Sequence, residues 1–178
     1  FPYLDKVTFK FIGDPSAQIA SLKAGDVDVI GYDVSPENAL LLEKDPKFKV
    51  LNGYTTTEVI LSTNQTRKPF DDVRVRRAMA HAIDRSALIK GVMSGYGVPI
   101  GSHMDPGNPY YIDLTSVYPY NPTKAKQLLA EAGYPNGFEA VIKLPERFAY
   151  AKRSGEIIVD MLSQVGIRLK IELTEWGQ

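Results

Sequence analysis

Polar and aromatic side chains follow a short strand-like run near the start of the chain, where they could bind a small molecule. Residues 31–36, GYDVSP, come directly after the apolar run VDVI. The phenol of Tyr32 can stack or donate a hydrogen bond, and the carboxylate of Asp33 can accept one from a cationic group. A structural role is the alternative, with Asp33 capping the next helix and Tyr32 packing between elements.

A second set of polar side chains lies in YTTTE, residues 54–58. Tyr54, Thr56 and Glu58 alternate along this run, so they share one face of a predicted strand. Their phenol, hydroxyl and carboxylate groups could contact a polar ligand. Threonine and tyrosine are also frequent in ordinary strands, so a purely structural role stays open.

The third set lies in PERFAY, residues 145–150, just past the strand-like run EAVIKL. The guanidinium of Arg147 could bind a carboxylate through two parallel hydrogen bonds. Phe148 or Tyr150 could form the wall of a side-chain pocket. A surface ion pair would account for Arg147 equally well.

Groups suited to catalysis or metal binding are absent or badly spaced. The chain has no cysteine, which excludes disulfides, zinc–thiolate sites and thiol nucleophiles. Its histidines, His81 and His103, have no carboxylates at ligand spacing, and serine, histidine and aspartate form no nucleophile motif. We therefore expect no catalytic residue, no metal site and no cofactor.

Composition bounds the class of protein. The 178 residues suit one domain, and 44% of them are hydrophobic, which is typical of a globular chain. The 21 basic residues balance the 21 acidic ones, so no overall positive field favours a nucleic-acid partner. The start at Phe1, with neither methionine nor secretion signal, indicates a mature or excised piece.

Residues 69–91 carry several basic side chains on a predicted helix, which raises the question of a nucleic-acid helix. Five apolar residues recur at helical spacing and predict a buried stripe: Val75, Ala78, Met79, Ala82 and Ile83. The basic residues fall on another side: Arg74, Arg77, His81 and Arg85. Asp71 or Asp72 can cap this helix, and Asp84 can start a second one. The basic residues are therefore predicted to form a solvated or ion-paired face.

Strand-like and helix-like segments alternate along the chain. Cap-then-proline pairs predict helix starts at Asp14-Pro15, Ser35-Pro36 and Asn121-Pro122, and residues 154–166 have helical spacing. Strands are predicted in five segments: 7–11, 27–31, 49–64, 139–144 and 167–176. Residues 94–120 are rich in Gly, Pro and Tyr and predict a long surface loop. Strand–helix–strand order predicts an α/β fold with crossover connections.

Four runs together resemble one known family. They are ASLKAGDVDVIGYDVSP, KPFDDVRVRRAMAHAIDRSALIKGVMSG, YNPTKAKQLLAEAGYPNGFE and VDMLSQVGIRLKIELTEW. In this order they are similar to the family 5 extracellular solute-binding proteins, the oligopeptide, dipeptide and nickel receptors of ABC importers. The resemblance implies that residues 1–178 form a single lobe, the distal one, of a periplasmic-binding-protein-like type II fold. That lobe would have a mixed, mainly parallel sheet flanked by helices.

The resemblance also implies a function and partners. The expected function is capture of a small solute, preferably a peptide, between this lobe and a second lobe of the same protein, followed by delivery to ABC permease subunits. The expected location is periplasmic or extracellular, with a lipoprotein anchor as one form. A ligand-sensing lobe of a transcriptional regulator is the alternative, and an α/β enzyme domain is a third.

The family resemblance also bears on the candidate site. Family members place ligand-contacting residues at the positions of Tyr54, Thr56 and Glu58, and dipeptide-binding members have an arginine near Arg147 for the ligand carboxylate. The expected ligand-binding set is therefore Tyr32, Asp33, Tyr54, Thr56, Glu58, Arg147 and Tyr150. The family aspartate that pairs with a peptide amino terminus would lie beyond Gln178.

Overall fold

The computed structural model describes residues 3–31, 34–53, 55, 58–146 and 148–175. The chain divides into two compact units, Phe1–Asn52 and Gly53–Gln178. No helix within the described ranges is both long and apolar enough to cross a membrane.

The first unit contains two helices whose starts are set by local capping. Helix α1, Pro15–Ala24, begins where the Asp14 carboxylate accepts a hydrogen bond from the amide of Ala17 at 2.7 Å. It ends at Gly25, which adopts a left-handed φ of 81°. Helix α2, Pro36–Glu43, begins at Ser35, whose hydroxyl accepts from the amide of Asn38. Both predicted helix starts are confirmed.

The strands predicted before residue 65 are wrong for the part of the chain that the structure describes. Residues 7–11, 27–31, 49–53, 55 and 58–64 contain no strand. Val7, Phe9 and Phe11, predicted to have a buried face, are 59%, 80% and 98% exposed. Alternating apolar residues favour a strand only where a neighbouring strand supplies the hydrogen-bond ladder, and these segments have no such neighbour among the described residues.

The second unit contains a parallel strand pair joined by a helix. Strand β1, Phe138–Pro145, pairs with strand β2, Ile167–Thr174, in a register that runs from Phe138 opposite Ile167 to Pro145 opposite Thr174. Helix α6, Ala149–Ser163, connects them and packs on both. The predicted strands around 139–144 and 167–176 and the helix around 154–166 are confirmed, and so is the α/β class.

Two glycines fix the amino ends of the paired strands. Gly137 and Gly166 precede β1 and β2 and have φ values of 74° and 94°. A Cβ atom on Gly137 would overlap the carbonyl group of Gly166. Only glycine permits both this backbone conformation and this close approach.

Three further helices complete the second unit. They are α3, Val73–Ala82, α4, Arg85–Met93, and α5, Pro122–Glu131, with N-caps at Asp72, Asp84 and Asn121. The predicted apolar stripe of α3 is confirmed, because Val75, Ala78, Met79, Ala82 and Ile83 are all buried. They join one core with residues of α5, α6 and β2, including Leu129, Leu162 and Ile167.

Basic side chains of α3 and α4 are hydrogen-bonded to nearby acidic and carbonyl groups. The Arg74 guanidinium donates to the Asp72 carboxylate at 2.6 Å and to the carbonyl oxygen of Glu131 at 2.6 Å. Arg85 donates to the carbonyl oxygen of Ala80 at 3.2 Å. The prediction of an ion-paired or solvated face is confirmed for Arg74.

Residues 94–121 form a loop between α4 and α5 with neither helix nor strand. Turns within it are closed by side chains that accept from backbone amides two residues on. Asp105 accepts from Gly107, and Asn108 accepts from Tyr110, each at 2.9 Å. Such local hydrogen bonds provide acceptors for backbone amides of the loop in the absence of a neighbouring strand.

Candidate functional site

The carboxyl ends of β1 and β2 lie level with each other. The amide of Glu146 donates to the carbonyl oxygen of Thr174 at 3.0 Å, which carries the pairing one residue past Pro145. In open parallel sheets, ligands bind beyond the carboxyl ends of the strands. The residues that follow this edge of the strand pair are therefore the candidates for a binding site.

Tyr150 lies at this edge, in the first turn of α6. It is 37% exposed, and its ring centroid is 5.5 Å from that of Phe148 with the planes tilted by 34°. Phe148 is the N-cap of α6 and gives the helix no side-chain hydrogen bond. The two rings therefore lie together directly after β1, and their role as the wall of a side-chain pocket stays a prediction.

Glu58 is the other candidate that the structure describes. Its side chain is 18% exposed, and its Oε2 atom lies 3.4 Å from Nδ1 of His103. His103 belongs to the loop between α4 and α5 and is 45 residues further along the chain. Sequence reasoning missed this neighbour, since no local spacing links the two residues.

Five of the seven predicted binding residues lie outside the described residues: Tyr32, Asp33, Tyr54, Thr56 and Arg147. Glu58 and Tyr150 have different recorded neighbours, His103 and Phe148 respectively. The joint ligand-binding role of the seven residues therefore stays a prediction.

Two concavities in the described residues lie away from these candidates. One of about 480 Å³ covers the outer face of the strand pair, where Glu139 and Arg168 form an ion pair at 3.3 Å. Another of about 270 Å³ is lined by Lys68, Asp71, Asp72, Ala132 and Tyr134. Neither contains Glu58 or Tyr150.

Two carboxylates have pKa values shifted by their hydrogen bonds. The Arg74 side chain, followed by the Arg74 backbone amide, lowers the pKa of Asp72 below its ordinary value. The hydroxyl of Thr115, 2.7 Å away, and its backbone amide lower the pKa of Asp113. Both carboxylates close a helix start or a turn, so these shifts report local structure rather than reactivity. Within the described residues no three His, Asp or Glu side chains are grouped as a metal would require.

Comparison with known families gives one match that covers nearly the whole chain. The family described as bacterial extracellular solute-binding proteins, family 5 Middle, matches residues 2–178. The glutathione-binding protein GsiB of Escherichia coli strain K12 is 33% identical over 177 residues, which are 99% of this chain and 34% of that protein. The chain thus spans about a third of the length of the curated relatives it matches.

Solved structures agree with that match. The PBP AgaA of A. tumefaciens R10, solved in complex with agropinic acid, is 33% identical with a TM-score of 0.72, over 93% of this chain and 34% of that chain. The ABC transporter-associated periplasmic binding protein DppA of Helicobacter pylori, in complex with peptide STSA, is 28% identical with a TM-score of 0.74. That match covers 94% of this chain and 32% of DppA. The expected binding-protein fold is confirmed.

Proposed function

This chain belongs to the family 5 bacterial extracellular solute-binding proteins, and from that premise we propose that it forms one wall of a solute-binding cleft in the receptor of an ABC importer. The family consists of binding proteins of transporters rather than enzymes. The match across residues 2–178 is the observation that carries the proposal. The regulator and enzyme alternatives have no comparable support.

The proposed ligand is a peptide or a similar small polar solute. One relative is named for glutathione, and one solved relative holds the peptide STSA. The aromatic pair at the carboxyl edge, half-buried Phe148 and exposed Tyr150, suits the side chain of such a ligand. Arg147, directly before that pair, is proposed to bind a ligand carboxylate.

Residues 1–178 are proposed to act as one lobe, with a second lobe supplied by further parts of a longer protein. The support is that the chain spans about a third of the length of GsiB. Closure of two lobes over the ligand would bury most of its surface, which one wall cannot do. The proposed partners are the permease subunits of the importer, and the proposed location is periplasmic, with a lipoprotein anchor as one form.

Calorimetric titration of the full-length protein tests this function. The panel is glutathione, di-, tri- and tetrapeptides, an opine acid and sugars. We expect one class to bind one ligand per protein without chemical turnover, as judged by mass spectrometry of the recovered ligand. Binding by none of the panel, or conversion of the ligand into a product, would remove the proposal.

A further inference from the structure

Among the residues that the structure describes, the carboxylate of Glu58 has one side-chain partner, His103, and the contact is long. Nδ1 of His103 lies 3.4 Å from Oε2 of Glu58, well beyond the usual distance of about 2.9 Å. A carboxylate oxygen only accepts, so the imidazole must donate. Glu58 is 18% exposed, whereas His103 is 81% exposed. Within the described part of the chain, this largely buried carboxylate is therefore paired with one exposed imidazole at a long distance.

Contacts within the loop hold the backbone just before His103, while its side chain is exposed. A Cβ atom on Gly101 would overlap the backbone of Leu114, so the two stretches of the loop run in direct contact there. The hydroxyl of Ser102 also accepts a hydrogen bond from the amide of Ile112 at 3.3 Å. These contacts lie one and two residues before His103. The imidazole is therefore presented by a closed loop and not by a free end.

The other charged side chain close to His103 in sequence is engaged elsewhere. Oδ1 of Asp105 accepts from the amide of Gly107 at 2.9 Å and closes a turn. Among the described residues, the charged side chain in contact with the imidazole is that of Glu58.

We propose that His103 is a specificity-determining residue: its imidazole occupies the position beside Glu58 that a side-chain ammonium or guanidinium group of the ligand would take. The inference rests on the proposed function and names the ligand class for this part of the cleft. A cationic group makes a shorter, charge-assisted hydrogen bond to a carboxylate than the 3.4 Å contact recorded here. Such a ligand would displace the imidazole toward solvent, where His103 is already mostly exposed.

Two matched tripeptides test the inference in the full-length protein: alanyl-lysyl-alanine and alanyl-norleucyl-alanine, which differ in one charged group. We expect the wild type to bind the lysyl peptide more tightly. Glu58→Gln should weaken the lysyl peptide roughly tenfold and leave the norleucyl peptide nearly unchanged. His103→Ala should tighten the lysyl peptide by about threefold, because it removes a competitor for the carboxylate.

Glu139→Gln is the control, because it removes the same charge from the outer face of β1, where Glu139 pairs with Arg168. It should alter neither affinity. Equal effects of Glu58→Gln on both peptides, or no effect of His103→Ala, would overturn the inference while leaving the proposed function intact. Failure of the wild type to bind either peptide would count against peptide binding itself. If Glu58→Gln does not fold, His103→Ala decides alone, since its side chain is exposed.

Discussion

Nδ1 of His81, in the last turn of α3, lies 2.7 Å from the carbonyl oxygen of Pro119 at the far end of the long loop. In return, the amide of Asn121 donates to the carbonyl oxygen of His81 at 2.7 Å. The ring of Tyr118 meets the imidazole edge-on, with centroids 5.6 Å apart. The end of α3 and the start of α5 are therefore fastened together through this histidine.

Replacement of His81 by phenylalanine should loosen the end of the loop. His81→Phe keeps an aromatic ring against Tyr118 but removes the hydrogen bond to Pro119, which should cost about 1 kcal/mol of unfolding free energy. Hydrogen exchange of residues 117–121 should become faster, as measured by mass spectrometry. His103→Phe, in the same loop but exposed, should leave this segment unchanged. If the exchange of residues 117–121 is unaltered in His81→Phe, the hydrogen bond between His81 and Pro119 does not hold this end of the loop.

The Asp72 carboxylate should make the stability of the protein depend on pH. Hydrogen bonds from Arg74 lower the pKa of Asp72 in the folded state, so its stabilising contribution is present above the unfolded value of about 3.9. That contribution is lost as the pH falls through the lower folded pKa. Urea unfolding of the wild type and Asp72→Asn should differ most near pH 7 and converge toward pH 3. A difference that stays constant with pH would contradict this.

The close approach of Gly137 to Gly166 should make Gly137 intolerant of a side chain. Gly133→Ala is the matched control, because Gly133 also has a positive φ, 91°, but a Cβ there would meet no atom within 4 Å. The control should lose about 1 kcal/mol from backbone strain alone. Gly137→Ala should lose clearly more, because the overlapping group is backbone and cannot rotate away. Equal urea midpoints for the two variants would rule out the close approach.

Arg147 should contribute to ligand binding through charge if it binds a ligand carboxylate. Arg147→Ala in the full-length protein should weaken a peptide with a free carboxyl terminus roughly tenfold, but its amidated analogue much less. Arg168→Ala, which removes a cation from the outer face of β2, is the control and should affect neither. Calorimetry that shows equal weakening of both peptides would assign Arg147 a structural role.

Helix starts could be predicted from sequence because their chemistry is local. An aspartate, serine or asparagine followed by proline supplies both the acceptor and the preset φ, as at Asp14, Ser35 and Asn121. The buried stripe of α3 was also predictable, because helical periodicity alone decides which residues face the core.

Strands and the candidate site were harder to predict because they depend on distant parts of the chain. Phe9 and Phe11 alternate as strand residues do, yet no described neighbour pairs with them and both are exposed. Alternation along the sequence shows that a segment could form a strand, but it does not show whether another strand lies beside it to pair with. In the same way, the contact of Glu58 with His103 joins residues 45 positions apart across a loop without any period. The aromatic pair after β1 was predictable, since it follows directly from where the strand ends.

The close approach of Gly137 and Gly166 at the amino ends of β1 and β2 bears on which substitutions the strand pair can accept. The two glycines help to fix the register of the strands at their amino ends, where a methyl group on Gly137 would overlap Gly166. At the opposite end the chain leaves β1 through Glu146, whose side chain is exposed. A substitution in the residues that follow β1 would lie at the far end of the strand pair from Gly137 and Gly166, so we expect the register of the two strands to survive it.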